Sequence, residues 1–195
     1  MTKAEKTKQW IIEQAAPIFN KKGVAGTAMS DIMEATKLSK GSLYVHFEDK
    51  EALSYCAVDY TLDTFIKKAK AAFSHQKTGK AKLYSLIEFL SDPLSPPVIG
   101  GCPILNFGTE ADDTNPVILD KVYKVIKGIQ QTVAGIVEQG IKAGEFDKKW
   151  NSKEFAIKSF ALIEGGVLIS RVSGKSDQMK IIVKMIKNEI DSNTI

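Results

Sequence analysis

Lys40, Ser42, Tyr44 and His46 stand within seven residues of one another and Lys50 follows closely, with no carboxylate between Leu38 and Phe47. Ammonium, hydroxyl, phenol and imidazole groups at that density suit hydrogen bonding to phosphate oxygens and base edges. Gly41, between Lys40 and Ser42, lets the backbone come close to a partner. An element must present these groups. Ser39 is a good N-cap for a helix running from Lys40 to about His46, because its hydroxyl can accept from the free amides of the first turn. Leu43 and Phe47 share one face of that helix, Lys40 and Tyr44 share another, and Ser42 and His46 flank it. Two turns are too few to be stable alone. Upstream, Ile32, Met33 and Ala35 give a short helix an apolar side, Thr36 to Ser39 form a turn, and a long helix from Lys50 supplies further support. This is the spacing of a helix-turn-helix whose second helix enters the major groove. It also suits a small three-helix bundle with solvated polar groups.

The run from Thr27 to Leu53, TAMSDIMEATKLSKGSLYVHFEDKEAL, resembles the N-terminal domain of the TetR family of transcriptional regulators. That family's pattern closes on Ser-Lys-Gly-Ser-Leu-Tyr-x-His-Phe-x-x-Lys-Glu-x-Leu, much like residues 39 to 53. The resemblance implies groove-facing Lys40, Ser42 and Tyr44 with Gly41 beneath them, phosphate contacts from His46 and Lys50, and a contribution from Ser30. Two positions depart from the pattern. Lys37 stands where the family usually has Gly, and a lysine in a left-handed conformation would cost on the order of 1 kcal/mol. Ala28 stands where Thr or Ser often caps the second helix, leaving Thr27 or Ser30 to serve.

The 195 residues, 44% hydrophobic and 26% charged, have the composition of a globular protein of one domain or two small ones. Net charge is +4, and residues 1 to 50 carry eight Lys against six Asp and Glu, a mild bias towards DNA. Arg171 is the only arginine, so base reading cannot use the bidentate arginine–guanine contact and must rely on lysine, hydroxyls and methyl contacts. Residues 1 to 9 are polar, and the most apolar long window, Phe155 to Val172, carries Lys158, Glu164 and Arg171. Neither a secretory signal nor a membrane span is expected, and the expected compartment is the cytoplasm. With Cys56 and Cys102 the only cysteines and His46 and His75 the only histidines, no disulfide framework, metal or cofactor site is expected. No enzyme is expected either: the serines and cysteines lack a nearby base, and no phosphate loop or carboxylate pair stands out.

In chain order, Thr2 to Glu5 form a capping box for a first helix, which Pro17 is expected to bend or divide and Gly23 to end. Lys3, Lys6 and Lys8 are a solvated tail or a phosphate-contacting arm. A helix of about 25 residues follows from Lys50. After another short helix, Asp92 to Gly101 is too rich in proline and glycine to be regular. Gly101-Cys102 with Asn106 then resembles a Gly-Cys-x-x-x-Asn element that lines the effector pocket in one branch of the family. Around it Phe65, Phe89, Cys102, Ile104, Phe107, Tyr123 and Phe160 are candidate pocket residues or plain core. Cys102 is alternatively a thiol that senses oxidants or electrophiles. Asn115-Pro116 opens a long helix, Ser152 is expected to cap a helix apolar nearly all round, and Ser176 starts a last one. A helix without a polar face needs cover on every side, and a partner subunit would supply it. Gly165-Gly166 suggests close approach of another backbone across a two-fold axis, or a pocket wall.

The expected fold is all-α, with a three-helix helix-turn-helix domain over residues 1–49 and a six-helix ligand-binding and dimerisation bundle over 50–195. The expected function is a homodimeric repressor released from double-stranded operator DNA by a small-molecule effector. The alternative is a helical small-molecule binder or thiol sensor with little DNA binding.

Overall fold

The structure, a computed structural model, describes all 195 residues from Met1 to Ile195. Nine α-helices make up the chain: α1 (Lys3–Lys22), α2 (Met29–Thr36), α3 (Lys40–Tyr44), α4 (Lys50–Ser74), α5 (Gly79–Leu90), α6 (Pro103–Ala111), α7 (Pro116–Lys142), α8 (Ser152–Ser173) and α9 (Asp177–Ser192). There is no strand, only an isolated antiparallel bridge between Phe146 and Thr194. Two compact units divide the chain, one from residues 1–65 and 98–123, the other from 66–97 and 124–195. No helix is long and apolar enough to cross a membrane.

In the first unit α1 opens with a reciprocal capping box: the Glu5 amide donates to Thr2 Oγ1 at 3.2 Å and the Thr2 amide to Glu5 Oε2 at 2.7 Å. The bend or break expected at Pro17 does not divide the element, and α1 continues as one helix to Lys22. The proline removes a single donor, while Ile11, Ala15, Ala16 and Phe19, all buried, anchor the helix on both sides of it. Gly23 ends α1 at φ +78°, and a Cβ there would lie 2.7 Å from Glu110 Oε2. Neither Thr27 nor Ser30 caps α2. Thr27 is buried and donates to the Gly23 carbonyl at 2.6 Å. Asp31 serves from inside the helix instead, accepting from the Ala28 amide at 3.0 Å and from Lys22 Nζ at 2.7 Å. The Lys22 ammonium first, and then the Ala28 amide, hold the Asp31 carboxyl below the usual carboxylate range.

In the second unit Glu145 reaches the start of α5, its carboxylate accepting from the Gly79 and Lys80 amides at 2.7 and 2.8 Å. Phe146, Trp150 and Phe155 form an aromatic core with successive ring centroids 5.0 and 4.7 Å apart. α5 is tied to α9 by Tyr84, whose hydroxyl donates to Asp191 Oδ1 at 2.7 Å. Burial, followed by that carboxylate, pushes the Tyr84 phenol up to about 12. α8 is capped by Asn151, one residue earlier than expected, its Oδ1 accepting from the Glu154 amide at 3.1 Å. The glycine pair of α8 divides its work. A Cβ on Gly166 would meet Ile182 and Met179 of α9 at 2.8 and 2.9 Å, so this glycine admits the chain's own last helix. Gly165 faces outward with open space around it.

Lys37 ends α2 in the left-handed conformation at φ 55°, the only non-glycine residue with positive φ. Replacing it with glycine removes the steric cost of a Cβ there. Lys37→Gly is therefore expected to raise stability in urea unfolding by about 0.5 to 1 kcal/mol.

Candidate nucleic-acid interface

Ser39 caps α3 as the sequence predicts: its Oγ accepts from the Ser42 amide at 3.3 Å and lies 2.9 Å from Ser42 Oγ. The helix is shorter than expected, ending at Tyr44, yet the chain keeps turning, with Val45 donating to Gly41 O at 3.2 Å and Phe47 to Leu43 O at 3.1 Å. Leu43 and Phe47 are buried and fix which way α3 faces. At 3.6 residues per turn, the direction opposite the midline between them belongs to Val45, with Gly41 and Ser42 nearest to it. Lys40 and Tyr44 lie on one flank and His46 on the other. Tyr44 and His46 stand about 100° to either side of that pole and Lys40 lies beyond Tyr44 towards the buried pair, so the lysine–tyrosine face is a side of α3 and not its outward pole. Val45 is 80% exposed and Tyr44 41%. Lys40, Gly41, Ser42 and Ser30 are exposed, and His46 is half-buried.

Lys40 Nζ lies 5.9 Å from the Tyr44 ring centroid, a contact that keeps ammonium and phenol on the same flank. Lys8 Nζ lies 5.2 Å from the Phe47 ring centroid, so it is no free tail residue. Lys50 is placed differently from expectation. Its ammonium donates to the Val24 and Thr27 carbonyls at 2.9 and 3.0 Å, leaving one of its three donors for a phosphate. Spacing within the motif gave no sign of this, because both carbonyls lie more than twenty residues upstream.

What orients the interface is the turn between α1 and α2. Glu110 of α6 accepts from the Val24 and Ala25 amides at 2.9 and 2.7 Å, while Lys50 of α4 takes the carbonyls. α6 is held against α1 by a pair of asparagines. Asn106 Nδ2 donates to Asn20 O at 2.8 Å, and buried Asn20 donates from Nδ2 to the Ile99 and Gly101 carbonyls at 2.8 and 3.1 Å. Sequence reasoning passed over the exposed Val45 and missed the positioning residues Asn20 and Glu110. A helical projection of residues 40–47 would have found the first; nothing local marks the other two.

The seven pocket candidates divide between the two units. Phe65, Cys102, Ile104 and Phe107 are buried within the first unit, and Tyr123 of that unit is 60% exposed. Asn106 of the Gly-Cys-x-x-x-Asn element binds the end of α1. In the second unit Phe160 joins Leu83, Leu86, Ile87, Leu90, Ile129, Val133, Phe155, Ser159 and Ile163 around an apolar cleft of about 20 Å³, with Ser159 the one polar side chain. Phe89 belongs to the same unit and does not line this cleft. Apolar periodicity marks a residue as inward-facing without saying against which helix it packs.

Residues 11–54 match the family described as bacterial regulatory proteins, tetR family, and residues 79–186 match the tetracyclin repressor-like C-terminal domain. A crystal structure of a TetR transcriptional regulator from Chloroflexus aurantiacus is 34% identical, covers 100% of this chain and 98% of its own, and superposes with a TM-score of 0.93. A TetR-family regulator from Cytophaga hutchinsonii gives 34% identity, the same coverage and a TM-score of 0.91. The HTH-type transcriptional regulator TtgR of Pseudomonas putida is 28% identical over 172 residues, 83% of this chain and 79% of its own length.

Two amides of the α1–α2 turn have Glu110 as their acceptor. Glu110→Ala is expected to lower stability by about 2 kcal/mol, the worth of two charge-assisted hydrogen bonds at a partly exposed site. Chemical denaturation of the full chain measures this, and an unchanged midpoint would contradict the role given to Glu110.

Proposed function

The chain belongs to the TetR family of bacterial transcriptional regulators, and from that premise we propose that it is a cytoplasmic, homodimeric repressor. It binds a palindromic operator through residues 1–49 and is released when a small-molecule effector occupies the part formed by residues 50–195. The observation that carries this reading is α3, a helix with one buried face and every other side free for a groove. Lys40, Ser42 and Tyr44 are assigned to base edges and nearby phosphates, and His46, Ser30 and the remaining donor of Lys50 to the backbone. Two heads related by a two-fold axis would place their α3 helices about 34 Å apart, one turn of B-DNA.

The dimer surface is assigned to α8 and α9. Ile157, Leu168, Ile169 and Val172 of α8 are exposed, as are Ile181 and Met185 of α9. Ile157, Ala161, Gly165, Leu168 and Val172 recur at helical spacing along one side of α8, and Gly165 leaves room there for a partner's backbone. The effector site is assigned to the cleft between α5, α7 and α8. Its lining is apolar except for Ser159, which fits an uncharged, hydrophobic molecule. At about 20 Å³ it holds little more than a water-sized occupant, so a ligand must open it. Preferential binding to an opened state is what allows an effector to shift the equilibrium, and a coupling of 1 to 3 kcal/mol would change operator affinity roughly 5- to 150-fold.

In a gel shift on the chain's own upstream region, Lys40→Ala and Tyr44→Ala are expected to remove specific binding while light scattering still reports a dimer. Tight binding by the double variant would refute the assignment. Leu168→Asp is expected to weaken the dimer by roughly 100-fold or more, since each subunit would bring an unpaired carboxylate into an apolar interface. Sedimentation at graded concentrations measures the change.

A further inference from the structure

We propose that Val45 reads a thymine methyl group in each operator half-site, an inference that rests on the DNA-binding function above. Val45 is 80% exposed and, by helical projection, stands opposite the buried pair Leu43 and Phe47, nearer the outward pole than any of the polar residues around it. Its side chain does little for local stability: Val45 is the C-cap of α3, valine has low helix propensity, and at 80% exposure it buries little surface. Single exposed apolar residues are common on protein surfaces. This one occupies the outward pole of the helix that faces the groove.

Its surroundings suit close approach. Gly41 lies one turn before Val45 on the same side of the helix. Beyond its chain neighbours, no side chain lies within 4 Å of the position a Gly41 Cβ would take, which leaves the backbone there uncovered and open to a base edge beside the valine. Lys40 and Tyr44 on one flank and Ser42 on the other supply donors that hold the helix in register without reading a methyl.

The chemistry selects the base. In the major groove only thymine presents a methyl group, and apolar side chains are its complement. The first unit holds no arginine to fix a guanine; Arg171, the only one in the chain, belongs to the second unit. Discrimination by α3 therefore falls to Lys40, Ser42, Tyr44 and this valine.

The test uses the full-length dimer. Duplexes are enriched from a random-sequence pool with the wild type and with Val45→Ala, and each thymine of the wild-type consensus is then replaced in turn by deoxyuridine, which removes only the methyl. At one thymine per half-site, the wild type is expected to lose about fourfold in affinity when one half-site is changed and about fifteenfold when both are, the effect of one buried methyl each. Val45→Ala, with an unchanged melting temperature, is expected to bind thymine and deoxyuridine duplexes equally and to select no particular base there. Indifference of the wild type to every replacement, or equal sensitivity in Val45→Ala, overturns the inference while leaving the repressor reading standing. Failure of the folded wild-type dimer to enrich any duplex overturns both.

Discussion

A short turn between two helices governs the DNA-facing end of this protein. Residues 23 to 28 form no regular structure, yet they set the course of α2 and through it the facing of α3. Four of their backbone groups are taken by two side chains from elsewhere: Glu110 of α6 accepts from two amides, and Lys50 of α4 donates to two carbonyls. Partly buried backbone groups need partners. Each partner here is charged and comes from a different helix, so the turn keeps its shape only while α1, α4 and α6 are all in place. The asparagine pair Asn20 and Asn106 holds α6 where Glu110 can reach.

Given that turn, the recognition helix can be very short. Five residues have almost no intrinsic helicity, and Lys37 adds strain just upstream. Stability comes from burial of Leu43 and Phe47 and from the Ser39 cap. That division leaves the outer surface with little structural duty: Ser42 shares a hydroxyl contact with Ser39 and Tyr44 sits beside Lys40, while Gly41 and Val45 are left open to a binding partner. The exposed valine is the consequence: no packing demand placed it there, and no solvation demand favours it.

The second unit works by the same logic on a larger scale. α8 has too much apolar surface for one neighbour, and its adjacent glycines sort the covers. Gly166 admits Met179 and Ile182 from within the chain, whereas Gly165 lies in an open apolar stripe suited to a second subunit. Inside, α5, α7 and α8 meet around aliphatic and aromatic side chains that nearly close on one another. A ligand entering so small a cleft would have to open it, and differential binding to an opened state is what the proposed effector response requires.

Although the caps of α2 and α8 fell on other residues than expected, helix positions, several of their caps and the general character of the interface were legible in residue order, since each depends on neighbours three or four positions away. Thr2 with Glu5, Ser39 with Ser42 and Asn115 with Ile118 are of this kind, and so is the buried pair Leu43 and Phe47. Pairings across long separations were not. Residue order gives no sign that Lys50 also holds the Val24 and Thr27 carbonyls, and Glu110 looks like a surface acid until the turn arrives 85 residues from it. The expected pocket residues fell into two units for the same reason. Periodicity along a chain encodes which way a side chain points relative to its own helix; which neighbour it meets is settled only when helices distant in sequence pack and leave backbone groups that some charged side chain must satisfy.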